Sequence, residues 1–186
     1  MAVNKSIWGA PSDSVAKIDS LVTDGLTGTR NSLAYRVQEI EKHIHNRERW
    51  YGQSGVTGFL DEDSLDDWRL TAGAGEAYGA YVQLSNGTET AEGDATKRFD
   101  LHKIFVQQGN TNDKNYKVQV RIGATLATSA IATEFLYRSG ANSVEAQPIS
   151  IICGRYPCNC GIWVRSKCAT DAATLDILVG LHIYPG

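Results

Sequence analysis

The C-terminal two thirds of the chain carry a series of short strand-like segments, which limits the fold more than any other feature. From Trp68 onward, apolar and polar residues alternate in segments bounded by turn residues, with no helical period between them. We expect seven or eight strands, with candidates at residues 68–72, 78–84, 99–107, 116–122, 132–137, 147–153, 161–168 and 173–184. Strands at such short spacing predict a mainly β protein with an antiparallel, jelly-roll-like β-sandwich.

Three of these segments indicate how deeply their strands are buried. In residues 173–184, apolar side chains occupy most positions of both faces, so we expect this last strand to lie in the core of a sheet. Residues 99–107 are nearly continuous apolar chain, which predicts a strand covered on both faces. In residues 116–122, apolar and polar side chains alternate, which predicts a half-buried strand.

The sequence before the strands has the period of a helix. Four apolar residues recur at spacings of four, three and four: Leu33, Val37, Ile40 and Ile44. This spacing is typical of a coiled-coil seam, within a helix from about residue 31 to residue 50. β-Branched residues at the seam favour three strands, and Arg36 would face Glu41 of a parallel neighbour. We therefore predict a homotrimer interface at these four residues; an amphipathic helix packed on its own domain is the alternative.

The change of period divides the chain. We predict four parts: an N-terminal arm at 1–11, a helical, coiled-coil-like segment at 12–51, a linker at 52–67 and the β-sandwich domain at 68–186. The linker begins as a glycine-rich joint and continues into an acidic run, for which a solvated loop is favoured over a Ca²⁺ site. Trp50, Tyr51 and Trp68 flank the linker, and we expect them to fix the helical segment to the sandwich.

Composition and charge exclude several classes of function. The formal net charge is −3, which argues against a generally basic nucleic-acid-binding protein. No apolar run approaches the about 20 residues of a membrane-spanning helix, and the first residues lack the apolar core of a signal peptide. We therefore expect neither membrane insertion nor classical secretion, and no nucleic-acid or membrane partner.

A group of cysteines is the strongest metal candidate in the sequence. They fall within 16 residues: Cys153, Cys158, Cys160 and Cys168. Their spacing lacks the two C-x2-C pairs of a structural zinc site. Cys160 and Cys168 share a strand face with Ile162 and Val164, which favours buried thiols; a disulfide and a zinc site are the alternatives. We predict no metal and no cofactor.

The remaining polar residues show no catalytic signature. The histidines have no metal-ligand spacing: His43, His45, His102 and His182. His182 shares a strand face with Asp176 and Tyr184, where a general base is possible in principle but an interface histidine fits better. The chain has no Gly-x-Ser-x-Gly motif, and the strands carry few acids, chiefly Glu134 and Asp176. We therefore predict a protein that is not an enzyme.

The whole plan resembles that of trimeric virion proteins of tailed phages, in particular the small β-sandwich proteins that decorate capsids or form head fibres. The segments that carry the resemblance are residues 99–106, 116–123 and 174–184. The resemblance implies a non-enzymatic homotrimer, a capsid decoration (cement) protein that is made in the host cytoplasm and binds the major capsid protein on the capsid surface.

On this interpretation the capsid is contacted by the N-terminal arm or by the underside of the sandwich. The arm is favoured because the apolar pair Ile7 and Trp8 precedes a helix and resembles a docking peptide. The alternative function is a trimeric receptor- or carbohydrate-binding fibre or spike module. That alternative predicts exposed aromatic and acidic side chains at one end of the sandwich, around residues 61–68.

Overall fold

The computed structural model describes residues 48–62, 64–88, 95–140 and 147–184. All of them lie in the second of the two units into which the chain divides, residues 47–186. They form β-strands and no helix, so none of them builds a helix that could cross a membrane. The strands are β1 (Glu48–Gln53), β2 (Leu60–Glu62), β3 (Trp68–Thr71), β4 (Val82–Ser85), β5 (Arg98–Gly109), β6 (Asn115–Gly123), β7 (Ala130–Arg138), β8 (Gln147–Ser150), β9 (Tyr156–Pro157), β10 (Gly161–Cys168) and β11 (Thr174–Tyr184).

The strands form two antiparallel sheets. The larger, seven-stranded sheet has the order β2-β1-β11-β5-β8, with β3 also paired to β11 and β9 to β5. The smaller, four-stranded sheet has the order β4-β10-β6-β7. Residues 12–47 of the helical segment predicted before the sandwich lie outside the described residues.

The pairing of the eight main strands is nested. The first pairs with the last (β1 with β11), the second with the seventh (β4 with β10), the third with the sixth (β5 with β8) and the fourth with the fifth (β6 with β7). Such nesting is what results when one long hairpin is wound across two sheets, which is the topology of a jelly roll. The predicted antiparallel, jelly-roll-like sandwich is therefore confirmed for the described residues.

One hydrophobic core lies between the two sheets, and alternate residues of both sheets fill it. The largest contributions come from four strands: Leu101, Ile104 and Val106 of β5, Val118, Val120 and Ile122 of β6, Ile162 and Val164 of β10, and Leu175, Ile177, Val179 and Leu181 of β11. Because side chains on a strand alternate between its faces, the residues between these lie on the outer faces of the sheets. The half-buried strand predicted at residues 116–122 is confirmed as β6.

The last strand, β11, lies at the centre of the larger sheet. β1 and β3 pair along one of its edges, and β5 pairs along the other. Its residues 175–181 are buried on both faces, which confirms the prediction of a core strand.

β5 differs from the prediction that it is covered on both faces. Phe99 and Leu101 are buried, whereas Asp100 and His102 on the other face are only half-buried. The outer face of β5 carries polar side chains, and burying them completely would cost free energy unless each had a hydrogen-bond partner.

The boundary of the sandwich lies earlier in the chain than predicted. Residues 48–51, predicted as the end of a helix, form the first part of strand β1. Within this strand, Tyr51 pairs with Val179 of β11. Tyr51 is only 4% exposed and belongs to the core. Trp50 points to the outer face, where its ring meets Phe105 edge-on at 5.7 Å. Alternation on a pleated strand separates these two aromatic residues, which a helix would not do.

The predicted linker at 52–67 is also mainly ordered structure and not a flexible joint. β2 pairs with β1 as a hairpin, and the turn between them places Gly58 at φ +73°, a conformation that favours glycine. Trp68, at the start of β3, is 1% exposed. Its indole Nε1 donates a hydrogen bond to the carbonyl oxygen of Gly58 at 2.9 Å. The indole of Trp68 thus holds the β1–β2 turn against the core. Because β1 also pairs with β11, the sandwich begins at β1.

Two strands are shorter than predicted by more than one residue. β4 begins at Val82, not at residue 78, and Tyr78 and Tyr81 before it lie against the guanidinium of Arg165. β8 ends at Ser150, not at residue 153. Beyond its end, the Cys153 thiol contacts the carbonyl oxygen of Leu101 at 3.4 Å. In both places a backbone hydrogen bond continues beyond the strand, from Gly79 to Ser166 at 2.9 Å and from Ile151 to His102 at 2.7 Å.

Candidate functional site

Six residues predicted to act in assembly lie outside the described residues. They are the seam residues Leu33, Val37, Ile40 and Ile44 and the docking residues Ile7 and Trp8. The homotrimer interface and the capsid-docking arm therefore remain predictions.

None of the four described cysteines forms a disulfide. Cys158 and Cys168 are buried, whereas Cys153 and Cys160 are half-buried. Burial raises the pKa of the Cys153 and Cys160 thiols, so both are protonated at neutral pH and are poor metal ligands in that form. In the described part of the chain, the one group of His, Cys, Asp or Glu side chains close enough to share a metal ion contains no cysteine.

That group consists of Asp100, His102 and His182, which we call the histidine cluster. Its potential ligand atoms all lie within 4.8 Å of one another. Nδ1 of His182 stands 3.4 Å from Oδ1 of Asp100, and these two side chains are 18% and 17% exposed. The cluster is therefore accessible to small solutes but largely shielded from bulk water. It lies on the outer face of the larger sheet, opposite the core.

The register of β5 and β11 creates the cluster. Asp100 is directly opposite His182 across the ladder. A bulge then follows, because Leu101 pairs with Leu181 while Lys103 pairs with Gly180, which leaves His102 as the additional residue. Such bulges change the direction of a side chain. Here the imidazoles of His102 and His182 stack with centroids 3.9 Å apart and planes at 25°.

Tyr184 orients the carboxylate of the cluster. Its hydroxyl donates a hydrogen bond to Oδ2 of Asp100 at 2.7 Å, which leaves Oδ1 on the side of His182. Burial and this hydrogen bond raise the pKa of Tyr184, so the phenol remains a donor at neutral pH. The guanidinium of Arg155 covers the Tyr184 ring at 3.9 Å and holds the ring in place.

Sequence reasoning did not find this cluster. It placed His182 beside Tyr184, as observed, but also beside Asp176, whose carboxylate instead receives two hydrogen bonds of 2.8 Å from Arg69. Asp100 and His102 are two residues apart and so share a strand face, which is a local signal. However, the contact with His182 depends on the register of two strands about 80 residues apart in the chain and on a bulge, and neither is visible in the pattern.

A second polar surface covers the outer face of the smaller sheet. The guanidinium of Arg165 lies 4.3 Å from the rings of both Tyr78 and Tyr81. Oε1 of Gln119 accepts hydrogen bonds from the Tyr81 hydroxyl at 2.7 Å and from Nε of Arg165 at 2.9 Å. Nε2 of Gln119 in turn donates to Glu134 at 2.6 Å. We call these five residues the tyrosine–arginine layer.

Strand β7 is one of the two edges of the smaller sheet, and β4 is the other. β7 has nine residues and pairs with β6 on one side only among the described strands. Two of its apolar side chains are exposed to water, Ile131 at 55% and Leu136 at 74%. A long edge strand with exposed apolar residues is a typical contact surface for another chain.

The aromatic and acidic surface predicted around residues 61–68 is only partly present. Asp61 and Glu62 are exposed, and Glu62 pairs with Arg49 at 2.7 Å. Trp68 is buried, so it offers no ring to a ligand. Among the described aromatic residues, Trp50 on the larger sheet is 36% exposed, and Tyr78 and Tyr81 on the smaller sheet are half-buried.

Glu134 and Asp176, the chief strand carboxylates, do not form a pair. Glu134 lies on β7 of the smaller sheet and forms an ion pair with Lys117 at 2.6 Å. Asp176 lies on β11 of the larger sheet and is bound to Arg69. The paired carboxylates of a typical glycosidase face each other across one sugar, so these two are not arranged in that way.

Comparisons with known proteins give distant likenesses. No family model matches the chain, and no curated protein matches it. A virus-like particle structure of the giant freshwater prawn (Macrobrachium rosenbergii) extra small virus is similar at 10% identity over 65% of this chain and 78% of that chain, with a TM-score of 0.31. The CBM22-1–GH10 modules of Clostridium thermocellum xylanase 10B are 13% identical over 75% of this chain and 28% of that chain, with a TM-score of 0.33. The infectious bursal disease virus Gx strain structure is 10% identical over 76% and 43%, with a TM-score of 0.25. At these scores no function follows from the likenesses.

Proposed function

We propose that this chain is a non-enzymatic structural protein of a virion, specifically a homotrimeric decoration (cement) protein on the head of a tailed phage. The nested strand pairing of the jelly roll is the observation that carries the proposal, because viral capsid domains are among the proteins built on this fold. The fold by itself does not fix a function, so the surfaces of the sandwich have to agree with it.

The β7 edge of the smaller sheet agrees with a role in protein contacts. Ile131 and Leu136 expose apolar side chains to water along a strand that, among the described strands, pairs on one side only. Monomeric proteins usually protect such an edge with charges, proline or a covering loop. In a protein that assembles with other subunits, a neighbouring subunit can cover such an edge, and this burial stabilises the assembly.

The sequence supports the trimer. A parallel three-stranded seam at Leu33, Val37, Ile40 and Ile44 would join three sandwiches about one axis. A capsid lattice offers threefold sites to such a trimer, and three weak contacts made together give strong overall binding. The partner under this proposal is the major capsid protein, and Ile7 and Trp8 of the arm would make the contact.

Light scattering on the full chain tests the assembly. We expect a particle of about 60 kDa, three copies of the 20.2 kDa chain. Ile40→Asp should give monomers because it places a charge in the seam, whereas Gln38→Asp adds the same charge outside the seam and should leave the trimer intact. A wild-type monomer at every concentration would contradict the proposal.

Co-sedimentation with capsids assembled from the major capsid protein of the same virus tests the docking. The full chain should sediment with the capsids, and Trp8→Ala should weaken this strongly while Lys5→Ala should not. Both variants should remain trimers. If Trp8→Ala binds as the wild type does, the arm is not the contact; if the full chain does not bind, it is not a decoration protein.

A receptor- or carbohydrate-binding module is the second candidate, and one observation favours it. Tyr78 and Tyr81 present aromatic rings next to polar groups on the outer face of the smaller sheet, and lectin domains share the jelly-roll fold. Glycan-array binding that is lost in Tyr78→Ala would support this candidate. Capsid binding without any glycan signal would support decoration.

A further inference from the structure

We propose that the histidine cluster is a binding site for one divalent transition-metal ion of the zinc class. The ligands would be one nitrogen each from His102 and His182 and one carboxylate oxygen from Asp100. The site would connect β5 and β11, the two longest strands of the larger sheet. This inference is independent of the proposed role in a virion.

The donor atoms select the class of metal. Imidazole nitrogen suits zinc, copper, iron and nickel, whereas calcium and magnesium prefer sites made of oxygen ligands alone. Two histidines and one carboxylate are a frequent protein ligand set for zinc, with the fourth position held by water. The cysteines, which would favour a soft ion, do not belong to the cluster.

The spacing of one donor pair is compatible with a shared ion and is long for a direct hydrogen bond. Nδ1 of His182 and Oδ1 of Asp100 are 3.4 Å apart. A charge-assisted hydrogen bond between such atoms would measure about 2.7–2.9 Å. Two ligands bonded at about 2.0–2.1 Å to one tetrahedral zinc ion stand about 3.3–3.4 Å apart. The separation of this one pair is therefore compatible with two corners of a zinc tetrahedron, and the three donor atoms, which lie within 4.8 Å of one another, would move closer together around the ion.

The surroundings support the site in a way that a chance cluster would not. Tyr184 donates to Oδ2 of Asp100 and so presents Oδ1 toward His182. Hydrogen bonds of this kind orient metal ligands and strengthen binding. The bulge in β5 brings His102 against His182, although ordinary pairing would place Asp100 alone opposite that residue. An imidazole binds a metal in the plane of its ring, so one of the two stacked rings, whose planes differ by 25°, would rotate when the ion binds. The half-buried position shields the ion and leaves a path for it to enter.

Calorimetric titration of the full chain with Zn²⁺ tests the proposal. We expect one ion per chain at the cluster, with affinity that falls at acid pH because bound imidazoles must be deprotonated. His102→Gln and His182→Gln each remove a ligand and should weaken Zn²⁺ binding by more than about 100-fold. Tyr184→Phe keeps the ring but loses the hydrogen bond to Asp100, and it should weaken binding by about 10- to 100-fold.

Control variants separate this site from others. His43→Gln with His45→Gln removes the two histidines outside the described residues and should leave the affinity at the cluster unchanged. Co²⁺ in place of Zn²⁺ should give visible absorption of a tetrahedral nitrogen and oxygen site without the thiolate charge-transfer bands that cysteine ligands produce. Thermal unfolding without metal shows whether each variant folds, and Zn²⁺ should raise the melting temperature of the wild type.

Three results would overturn the proposal: no Zn²⁺ binding by the folded wild type, wild-type affinity in both His102→Gln and His182→Gln, or a thiolate signature with Co²⁺. If His182→Gln does not fold, His102→Gln and Asp100→Asn decide the question, because His102 lies in the bulge and asparagine preserves the shape of the carboxylate. Loss of the trimer or of capsid binding would leave these results unaffected.

Discussion

The two sheets of the sandwich share one core but treat their outer faces differently. In the larger sheet the central strand β11 is buried on both faces, and polar groups on its outer side are held in fixed partnerships such as Asp176 with Arg69. In the smaller sheet the outer face carries the tyrosine–arginine layer, and its edge exposes Ile131 and Leu136. We therefore expect the larger sheet to contribute more to the stability of the fold and the smaller sheet to present a surface for contacts.

The same chemical change made in each sheet gives the largest expected contrast. Leu181→Ala on β11 empties a fully buried position and should lower the free energy of unfolding by about 2–5 kcal/mol. Leu136→Ala on β7 removes the same atoms from a side chain that is mostly in water, and the free energy of unfolding should change by less than about 0.5 kcal/mol. Urea unfolding of the two variants measures both.

A similar decrease in the free energy of unfolding for the two leucine variants would contradict the division of roles between the sheets. A large effect of Leu136→Ala on assembly, with unchanged unfolding of the isolated chain, would instead sharpen it. Light scattering and capsid co-sedimentation of that variant separate the two results.

A buried acid of the larger sheet, Asp176, provides the next test. Asp176 is buried and accepts two hydrogen bonds from Arg69, whose pKa these bonds raise further. Asp176→Asn keeps the shape but turns a nitrogen toward the guanidinium, so we expect a loss of about 1–3 kcal/mol in the free energy of unfolding. Urea unfolding at neutral pH measures it, with Asp61→Asn on the exposed surface of β2 as the matched control. An effect no larger than that of the control would show that β11 does not depend on this ion pair.

Local patterns predicted much of this architecture. Period-two alternation over residues 116–122 and 161–168 is decided by neighbours in sequence, so β6 and β10 were predictable nearly to the residue. Apolar character on both faces likewise placed β11 in the middle of a sheet. The same strands could pair in several different topologies. The sequence pattern does not indicate which of them forms, so the nested pairing was not predictable in detail.

What the sequence missed depends on contacts between distant segments. Residues 48–53 follow directly after a helical period, and their place as β1 is decided by pairing with β11 and by burial of Tyr51. The histidine cluster depends on the register of β5 with β11 and on one additional residue at His102. A shift of the register by one residue would turn His182 to the core and dissolve the cluster, and no local pattern determines that register.

The smallest contrast concerns the exposed acid of the smaller sheet. Hydrogen bonds from Lys117 and Gln119 lower the pKa of Glu134 below its ordinary value. A carboxylate whose pKa is lower in the folded state stabilises the fold at neutral pH, and this contribution disappears as the pH falls through the lowered pKa. Glu134→Gln should therefore lower the free energy of unfolding by about 0.2–1 kcal/mol at neutral pH, because the group is exposed and screened by water.

Urea unfolding at neutral and acid pH, each in low and high salt, tests this sign. Wild type and Glu134→Gln should converge in acid, where the wild-type carboxylate is protonated, and should also draw together in high salt, which screens exposed charges. A difference that persists in acid would mean that Glu134 acts through packing in the tyrosine–arginine layer and not through its charge. In that case the outer face of the smaller sheet would contribute to the fold as the larger sheet does, and the contrast between the two sheets would have to be withdrawn.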